Sequence, residues 1–240
     1  MSDYLSSLVA AYDMSTINPV NLAPNTYGSN NGTGSGLDST NIVQGVGGGK
    51  ATRYNGSDEH TDFNSPFQSV FRGSFSIACF FRADDGQPAA TERIFGSRDS
   101  VGDDSWVFAY IATTGHIVFG YNSEGNDATY TTSNSLANGA NPYRFICCVA
   151  DSSIAGNGGL KIYLDDELAP NNPSYPGDTS SVVFSEFTSE SNMFVGAYNN
   201  DGSTISRFAG CIDSPMIFSS ALTETQVKDV MHLTRTGRLL

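Results

Sequence analysis

Two groups of acidic residues are the first candidates for hydrolytic chemistry. Glu186 and Glu190 lie four residues apart, and Asp165, Asp166 and Glu167 are consecutive. Retaining hydrolysis of a glycosidic bond needs two carboxyl groups about 5–5.5 Å apart that face the same bond. The consecutive group falls in a predicted hairpin turn, where neighbouring side chains point apart. We therefore predict that the chain is not an enzyme.

The sequence contains no motif that indicates a catalytic nucleophile or a zinc site. His60, His116 and His232 have no serine or cysteine at a spacing that marks a catalytic triad. Cys147 and Cys148 are adjacent, which is not the spacing of zinc ligands.

The elements that must position any site are short β-strands. The chain has 240 residues, 25 glycines and 9 prolines, and only 15% of its residues are charged. Apolar runs with strand patterns recur between turn signals such as Thr114-Gly115 and Asp201-Gly202. This pattern predicts one antiparallel β-sandwich domain over residues 1–240, with a core of about 8–232. The predicted strands cover 75–82, 106–112, 116–121, 144–149, 161–164, 182–184 and 193–197.

Composition excludes several classes of partner. The formal net charge is −13, whereas nucleic-acid binding needs clustered Lys and Arg. With only Lys50, Lys161 and Lys228, the chain is also a poor match for an anionic membrane surface. No stretch has the length of a membrane span, and residues 1–20 lack the basic start and apolar core of a signal peptide. We expect a protein that is made without a leader.

The C-terminal segment 193–230 has the pattern strand, polar turn, strand and capped helix. Ser220 or Thr223 can cap the helix, and Leu222, Val227 and Val230 would form its apolar face. Two glycine- or proline-rich segments, 27–50 and 169–181, are predicted to be surface loops. The tail 233–240 is predicted to be a frayed terminus, with docking on a neighbouring subunit as the alternative.

The C-terminal segment resembles the closing motif of laminin-G-like domains in the concanavalin A-like lectin superfamily. Upstream, LVAAYDM at 8–14, ATRYNGSDEHTDF at 51–63, FSIACFFR at 75–82 and the hairpin at 144–168 fit the same family in the same order. The resemblance implies a two-sheet jelly-roll sandwich with one short C-terminal helix. Asp166 stands where the family usually has a turn glycine, so it is expected to be left-handed. The closing motif is carried by Gly210, Ile212, Asp213, Ile217, Phe218, Ala221, Leu222, Thr223, Gln226 and Val227.

The superfamily includes glucanases, which use an E-x-D-x-x-E run on one strand. The segment from Glu186 to Glu190 lacks the middle aspartate. A degenerate glycosidase that depends on Glu186 or Glu190 is therefore the least favoured of the functional alternatives.

The similarity to pentraxins within this superfamily implies a calcium site. The positions that match pentraxin ligands are Asp103 and Asp104 in one loop and Asn199, Asn200 and Asp201 in another. Carboxylate and amide oxygens are the ligands that Ca²⁺ prefers, and both loops should lie on one side of the domain. The alternative is that these are solvated turn residues.

A second calcium position is implied near Asp213, with Asn55, Gly56 and Asp58 as further ligands. The alternative for Asp213 is a buried carboxylate that accepts hydrogen bonds from backbone amides.

Sugar binding needs an aromatic ring beside polar groups. Tyr198, next to Asn199 and Asn200, is predicted to be the exposed ring of a ligand site, whereas Trp106 is expected inside the sandwich. The other aromatic candidates are Tyr110, Tyr121 and Tyr130.

The pentraxin resemblance also implies a disulfide between the strands at 75–82 and 144–149. Here it would join Cys79 to Cys148 or Cys147. The alternative is buried free thiols that act as small apolar residues.

The resulting functional hypothesis is a lectin-like surface module without catalytic activity. We expect a phage virion protein, such as a head decoration or fibre protein, that contacts capsid proteins or copies of itself and binds host glycans. The alternative is a free, extracellular, calcium-dependent carbohydrate-binding module.

Overall fold

The computed structural model describes residues 3–23, 30–99, 105–123, 126–154, 159–172 and 182–239. Within these residues eighteen strands form two sheets of nine strands each. The first sheet contains β1 (Leu8–Asp13), β2 (Val20–Asn21), β4 (Ile42–Gln44), β5 (Lys50–Asn55), β7 (Phe75–Ala83), β12 (Arg144–Ala150), β13 (Leu160–Leu164), β14 (Glu167–Leu168) and β18 (Ala209–Phe218). The second contains β3 (Thr33–Ser35), β6 (His60–Asp62), β8 (Glu92–Arg98), β9 (Trp106–Ile111), β10 (Ile117–Ser123), β11 (Asn126–Thr131), β15 (Phe194–Val195), β16 (Tyr198–Asn200) and β17 (Ser203–Ile205).

Strand pairing is antiparallel throughout the described residues, except that β16 runs parallel to β8. The first sheet has the order β14-β13-β12-β7-β18-β1-β2, with β5 also paired to β18 and β4 to β5. The second has the order β11-β10-β9-β8-β15-β6-β3, with β16 and β17 beside β8. The predicted two-sheet antiparallel sandwich is therefore confirmed.

The core between the sheets is rich in aromatic rings. Phe75 of β7 is fully buried and meets the edges of Phe71, 4.8 Å away, and Phe119, 6.2 Å away between ring centroids. Tyr121 of β10 stacks on Phe184 at 4.7 Å and donates a hydrogen bond to the Phe71 carbonyl. Each such ring removes a large apolar area from water, and truncating one to alanine costs about 3–5 kcal/mol in a typical core.

The long helix α2 (Glu224–Arg235) packs on the outer face of the first sheet. Its Val227 and Val230 join a buried cluster with Phe80 and Phe145, which point away from the core between the sheets. Thr223, one of the two predicted caps, is the N-cap, and Gln226 completes a capping box. Among the described residues no helix has the length and apolar run needed to cross a membrane. The short helices are α1 (Gln68–Phe71) and the 3₁₀ turns Asp3–Ser7, Ser39–Asn41, Val46–Gly48 and Phe184–Glu186.

Three predicted elements differ from the structure. The segment 27–50 was expected to be a loop, but β3 and β4 within it pair with the edges of both sheets. The predicted strand 182–184 runs into a 3₁₀ turn, because the Phe184 ring stacks in the core. The predicted strand 193–197 breaks at Gly196, whose φ is +78° because the Tyr54 ring fills the space of a side chain there.

The tail and one turn also need correction. Helix α2 continues to Arg235, so 233–235 is helical and not frayed. In the turn after β13, the left-handed residue is Asp165, with φ +60°, and not Asp166. Asp165 tolerates this conformation because its carboxylate pairs with Arg144 at 2.6 Å and accepts the Phe145 N–H at 2.9 Å.

The four cysteines are buried free thiols. Cys79 and Cys148 face the core from adjacent strands, but Cys79 stands opposite Ile146 and Cys148 opposite Ile77. Cys147 faces the helix side. Burial raises the pKa of the Cys79, Cys147 and Cys148 thiols. The disulfide implied by the pentraxin resemblance is absent, and the alternative of free apolar thiols describes the structure.

Glu92 links the two sheets through a hydrogen bond. One carboxylate oxygen of Glu92 in β8 accepts the N–H of Ala209 in β18 at 3.1 Å. Burial raises the pKa of Glu92 to about 7; the Ala209 bond opposes this shift, and the carboxylates of Asp85 and Asp84 add to it. The folded chain therefore holds the Glu92 proton more tightly than the unfolded chain.

Removal of the helix cap should weaken the domain. We expect Thr223→Ala to lower the free energy of unfolding by about 1 kcal/mol, because the Gln226 N–H loses its acceptor. The matched control is Thr225→Ala, an exposed residue of the same helix turn, which should be neutral or slightly stabilising. Urea titration of both variants measures the effect, and equal midpoints would contradict the role of the cap.

Glu92→Gln should stabilise the domain only at higher pH. Since the folded-state pKa of Glu92 lies above its unfolded value, ionisation costs stability as pH rises from about 4.5 to 7 and by a constant amount above that. We expect the variant to gain about 1–2 kcal/mol over the parent at pH 8, after a discount for partial solvent exposure, and close to nothing at pH 4.5. Urea midpoints across this range measure it. A gain independent of pH, or one shared by the exposed control Glu190→Gln, would contradict the shift.

Candidate functional site

The predicted ligand residues Tyr198, Asn199 and Asn200 form β16, and Asp201-Gly202 is the turn that follows. Both turn residues have positive φ, +50° and +80°, so the predicted turn is confirmed. The Asn199 amide donates to the Asn192 carbonyl at 2.8 Å and accepts the Gly202 N–H at 2.9 Å. This side chain therefore holds the hairpin in place.

The Tyr198 ring is buried, contrary to prediction. Only 4% of the residue is exposed. The ring lies over Gly96 of β8 and meets the Phe108 ring edge-on, with centroids 6.1 Å apart. It is part of an aromatic cluster, and it is not a free platform next to the Asn-Asn-Asp turn.

The first predicted calcium site is described only in part. Asp103 and Asp104 lie outside the described residues, so the structure describes only Asn199, Asn200 and Asp201 of this set. Within the described residues, no three His, Cys, Asp or Glu side chains come together at metal-binding distance. Calcium binding at these five residues stays a prediction.

Asp213 is held by hydrogen bonds inside the domain. It is 4% exposed, and its carboxylate accepts the Val46 N–H at 2.7 Å and the Ser214 hydroxyl at 2.7 Å. Burial raises the pKa of Asp213, and these two hydrogen bonds oppose the shift. The carboxylate thus fixes the 3₁₀ turn Val46–Gly48 to the outer side of the first sheet, as the hydrogen-bond alternative predicts.

The structure does not bring Asp213 together with the second predicted calcium loop. Ala209, four residues before Asp213 in β18, is the residue that stands opposite Asn55. Four residues of strand span roughly 13 Å. Asn55 instead bonds Asp58 through its amide at 2.8 Å and caps its own turn. Asn55, Gly56 and Asp58 therefore form a separate loop.

The outer face of the second sheet carries the most distinctive side chains of the molecule. Because α2 covers the outer face of the first sheet, the second sheet provides the open face. Alternate residues of β9 point into the core, and the others point outward. Register then defines rows across β8, β9, β10 and β11: Arg93, Tyr110, Val118 and Thr131; Gly96, Phe108, Gly120 and Thr129; Arg98, Trp106, Asn122 and Asp127.

Aromatic rings lie flat on this face. The Trp106 ring stacks on Phe108 with centroids 4.6 Å apart and planes 16° apart. A side chain at Gly120 would meet both rings at 2.6–2.7 Å, so the absence of one lets them approach the sheet. Gly96 does the same for Tyr198 and Phe108. Trp106 was expected in the core; it is half-buried on the outer face, because its strand neighbours Val107, Ala109 and Ile111 fill the core.

Arg93 lies in the middle of this cluster. Its guanidinium carbon is 4.0 Å from the centroid of the Phe108 ring, 4.4 Å from that of Tyr110 and 4.6 Å from that of Tyr198. These are cation–π distances, with the charge over three rings at once. Burial lowers the pKa of Arg93, and the two tyrosines oppose the shift. A guanidinium stays protonated at any physiological pH.

A groove of about 240 Å³ opens beside this cluster. The Tyr110 ring and Val118 provide apolar surface, and hydroxyl groups come from β11 and from the β9–β10 turn. Pockets for drug-sized ligands have volumes of about 300–1,000 Å³. This groove is smaller, so it has room for a few sugar rings at most. The lining residues are Tyr110, Ala112, Thr114, His116, Val118, Thr129 and Thr131.

Two further grooves are less suited to ligand binding. One, beside α2, contains Arg144 and Asp165, whose charges already pair with each other at 2.6 Å. The other lies between Thr132 and Leu168 and has no aromatic wall. Neither is continuous with the cluster around Arg93.

Tyr110 was among the aromatic candidates, but the outer face as a whole was not predicted from the sequence, although a signal was present. In WVFAYI the aromatic residues alternate with aliphatic ones, which separates the two faces of β9. Gly96 and Gly120 stand opposite Phe108 on both neighbouring strands. Glycines beside aromatic residues within strands mark rings that fold over the backbone.

The chain belongs to the concanavalin A-like lectin/glucanases superfamily, whose laminin-G-type family model matches residues 55–228. This confirms the family indicated by the motifs. No curated protein sequence matches the chain.

Solved structures share the fold at low sequence identity. The CBM40 domain of the Ruminococcus gnavus IT-sialidase, solved with α2,3-sialyllactose, is 15% identical with a TM-score of 0.56, over 75% of this chain and 95% of that domain. The receptor binding domain of the botulinum neurotoxin C/D mosaic serotype is 13% identical with a TM-score of 0.65, over 95% of this chain and 51% of that one. Botulinum neurotoxin type C, whose cell entry depends on interaction with two ganglioside molecules, is 13% identical with a TM-score of 0.63. This chain spans about half the length of the neurotoxin chains.

Gly120→Ala should displace the outer aromatic rings without unfolding the sandwich. The new methyl group would lie 2.6–2.7 Å from Phe108 and Trp106, so both rings must lift towards solvent. Because Trp106 is the only tryptophan, its fluorescence reports this movement directly, and we expect the emission maximum to shift to longer wavelength. The control Gly73→Ala has nothing within 4 Å and should leave the spectrum unchanged. An unshifted spectrum in a folded Gly120→Ala would contradict the flat packing.

Proposed function

We propose that the chain is a glycan-binding module whose ligand occupies the groove beside Tyr110. The observation that carries the proposal is the composition of that groove, which combines an aromatic wall with threonine hydroxyls on a rigid sheet. Sugars present C–H faces that pack on aromatic rings and hydroxyls that exchange hydrogen bonds with such side chains. The fold shared with domains that bind sialyllactose or gangliosides adds support at the level of the ligand class.

The module is proposed to bind its ligand without hydrolysing it. The carboxylates considered for catalysis do not line the groove: Asp165 is paired with Arg144, Glu186 ends a 3₁₀ turn, and Glu190 is exposed. The superfamily also includes glucanases, so this part of the proposal rests on the arrangement of residues in this chain.

We also propose that binding depends on calcium and that the module is displayed on a particle. Calcium dependence rests on the oxygen-rich set Asp103, Asp104, Asn199, Asn200 and Asp201, with backbone carbonyls as further ligands. Display on a virion, in contact with capsid proteins or further copies of the chain, rests on the few lysines and the acidic, Asn-, Ser- and Thr-rich composition. The alternative is that the module is free and extracellular.

Binding should depend on the groove and not on the hydroxyl groups of β17. We expect a glycan array to identify ligands, and Tyr110→Ala or Thr129→Val to weaken them at least tenfold in calorimetric titration, because the ring wall or a hydroxyl partner is lost. The control Thr204→Val changes a hydroxyl in β17 of the same sheet and should bind as the parent does. Repeating the array with a chelator tests calcium. An array with no ligand in either condition would remove the proposed function.

A further inference from the structure

An uncompensated positive charge lies directly behind the wall of the groove. The Tyr110 ring forms part of the wall, and its centroid is 4.4 Å from the Arg93 guanidinium. The Arg93 side chain makes no hydrogen bond or ion pair with any residue that the structure describes. Its Nε and Nη1 atoms are buried without a partner.

This arrangement is costly for a structural arginine. Removing a guanidinium from water costs free energy that a carboxylate partner usually offsets. Two other arginines of the chain have such partners: Arg53 pairs with Asp84 at 2.7 Å, and Arg144 with Asp165 at 2.6 Å. At Arg93 three aromatic rings offset part of the cost, and no carboxylate among the described residues does. The charge is therefore free to act on whatever enters the groove.

The sign of this charge is the opposite of the rest of the molecule. The chain carries 25 acidic residues against 12 Lys and Arg, so its average field repels anions. Adjacent strands are about 4.8 Å apart, so the groove over β9 and β10 lies within roughly 10 Å of Arg93. That distance is comparable to the Debye length of about 8–10 Å, and the surrounding rings exclude water that would screen the charge.

We propose that the groove selects glycans that carry an anionic group, a carboxylate or a sulfate, and that Arg93 supplies the selectivity. The inference rests on the proposed glycan-binding function and names the class of ligand within it. The anionic group would lie beside Tyr110, where it provides the counter-charge that Arg93 lacks. Arg93 acts through the ring and is a specificity-determining residue, whether or not its own N–H groups contact the ligand.

The test compares matched ligands on the full chain: lactose, α2,3-sialyllactose and 3′-sulfated lactose, each titrated by calorimetry at low and high salt. We expect both acidic ligands to bind at least tenfold more tightly than lactose at low salt, with the ratio falling as salt rises. In Arg93→Met, which keeps an apolar stem of similar length, the ratio should fall to near one. Arg93→Lys should keep part of it, since the charge remains.

Two controls separate selectivity from folding. Trp106 fluorescence and thermal unfolding show whether the aromatic cluster persists in each Arg93 variant. Arg53→Met, an exposed arginine of the other sheet, should keep the parent ratio. If Arg93→Met does not fold, two results remain informative. They are the salt dependence of the affinity ratio of the parent and the ratio measured for Arg93→Lys, and both show whether a positive charge provides the preference for acidic ligands.

The relative affinities for lactose and the acidic ligands distinguish the possible conclusions. A salt-sensitive preference for both acidic ligands that disappears in Arg93→Met supports the inference, and a preference for one of them identifies which anionic group is bound. Equal affinity of the parent for lactose and the acidic ligands overturns the inference and leaves glycan binding intact. No binding of any ligand overturns the proposed function, and with it the inference.

Discussion

The alternation of side chains along β9 is the constraint on which both the sandwich and the candidate site depend. Val107, Ala109 and Ile111 are fully buried between the sheets, and Trp106, Phe108 and Tyr110 cover the opposite face of the same six residues. A shift of register by one residue would exchange the two sets. The core therefore fixes the position of the outer rings. The site gains rigidity from packing that the fold needs in any case.

The two outer faces of the sandwich have different roles for a related reason. Helix α2 buries the outer face of the first sheet through Val227 and Val230, and Asp213 fixes a turn against that side. Among the described residues, the outer face of the second sheet carries its own aromatic cluster and no helix. An arginine without a carboxylate partner can persist there because rings shield it from three directions. The open face is thus both the accessible one and the one with unbalanced charge.

The fold could be predicted because its signals are local. Strand patterns, the Asp201-Gly202 turn and the Thr223 cap each lie within a few residues, and the family motifs gave their order. The site could not be predicted in the same way. All of β9 is apolar on both faces, so alternation separates Trp106 from Val107 without telling which side is the core. The bond from Asp213 to Val46 joins residues 167 positions apart and has no local signal.

The burial of Tyr198 illustrates the same limit. Its place beside Asn199 and Asn200 suggested an exposed ring, yet the ring lies over Gly96, a glycine of a strand about 100 residues earlier. Contacts between strands that are distant in sequence decide which aromatic side chains meet solvent. The Trp106 and Phe108 rings share the space over Gly120, Tyr198 and Phe108 share the space over Gly96, and Tyr110 lines the groove.

Mapping a bound glycan on the molecule by NMR would show whether the outer face of the second sheet is the binding site. The full chain would be titrated with α2,3-sialyllactose while backbone amide shifts are followed. We expect the largest changes along β9–β11, around Tyr110, His116 and Thr129, with the Trp106 indole as a further reporter. Changes confined to the β16–β17 hairpin or to the helix side of the first sheet would contradict this expectation.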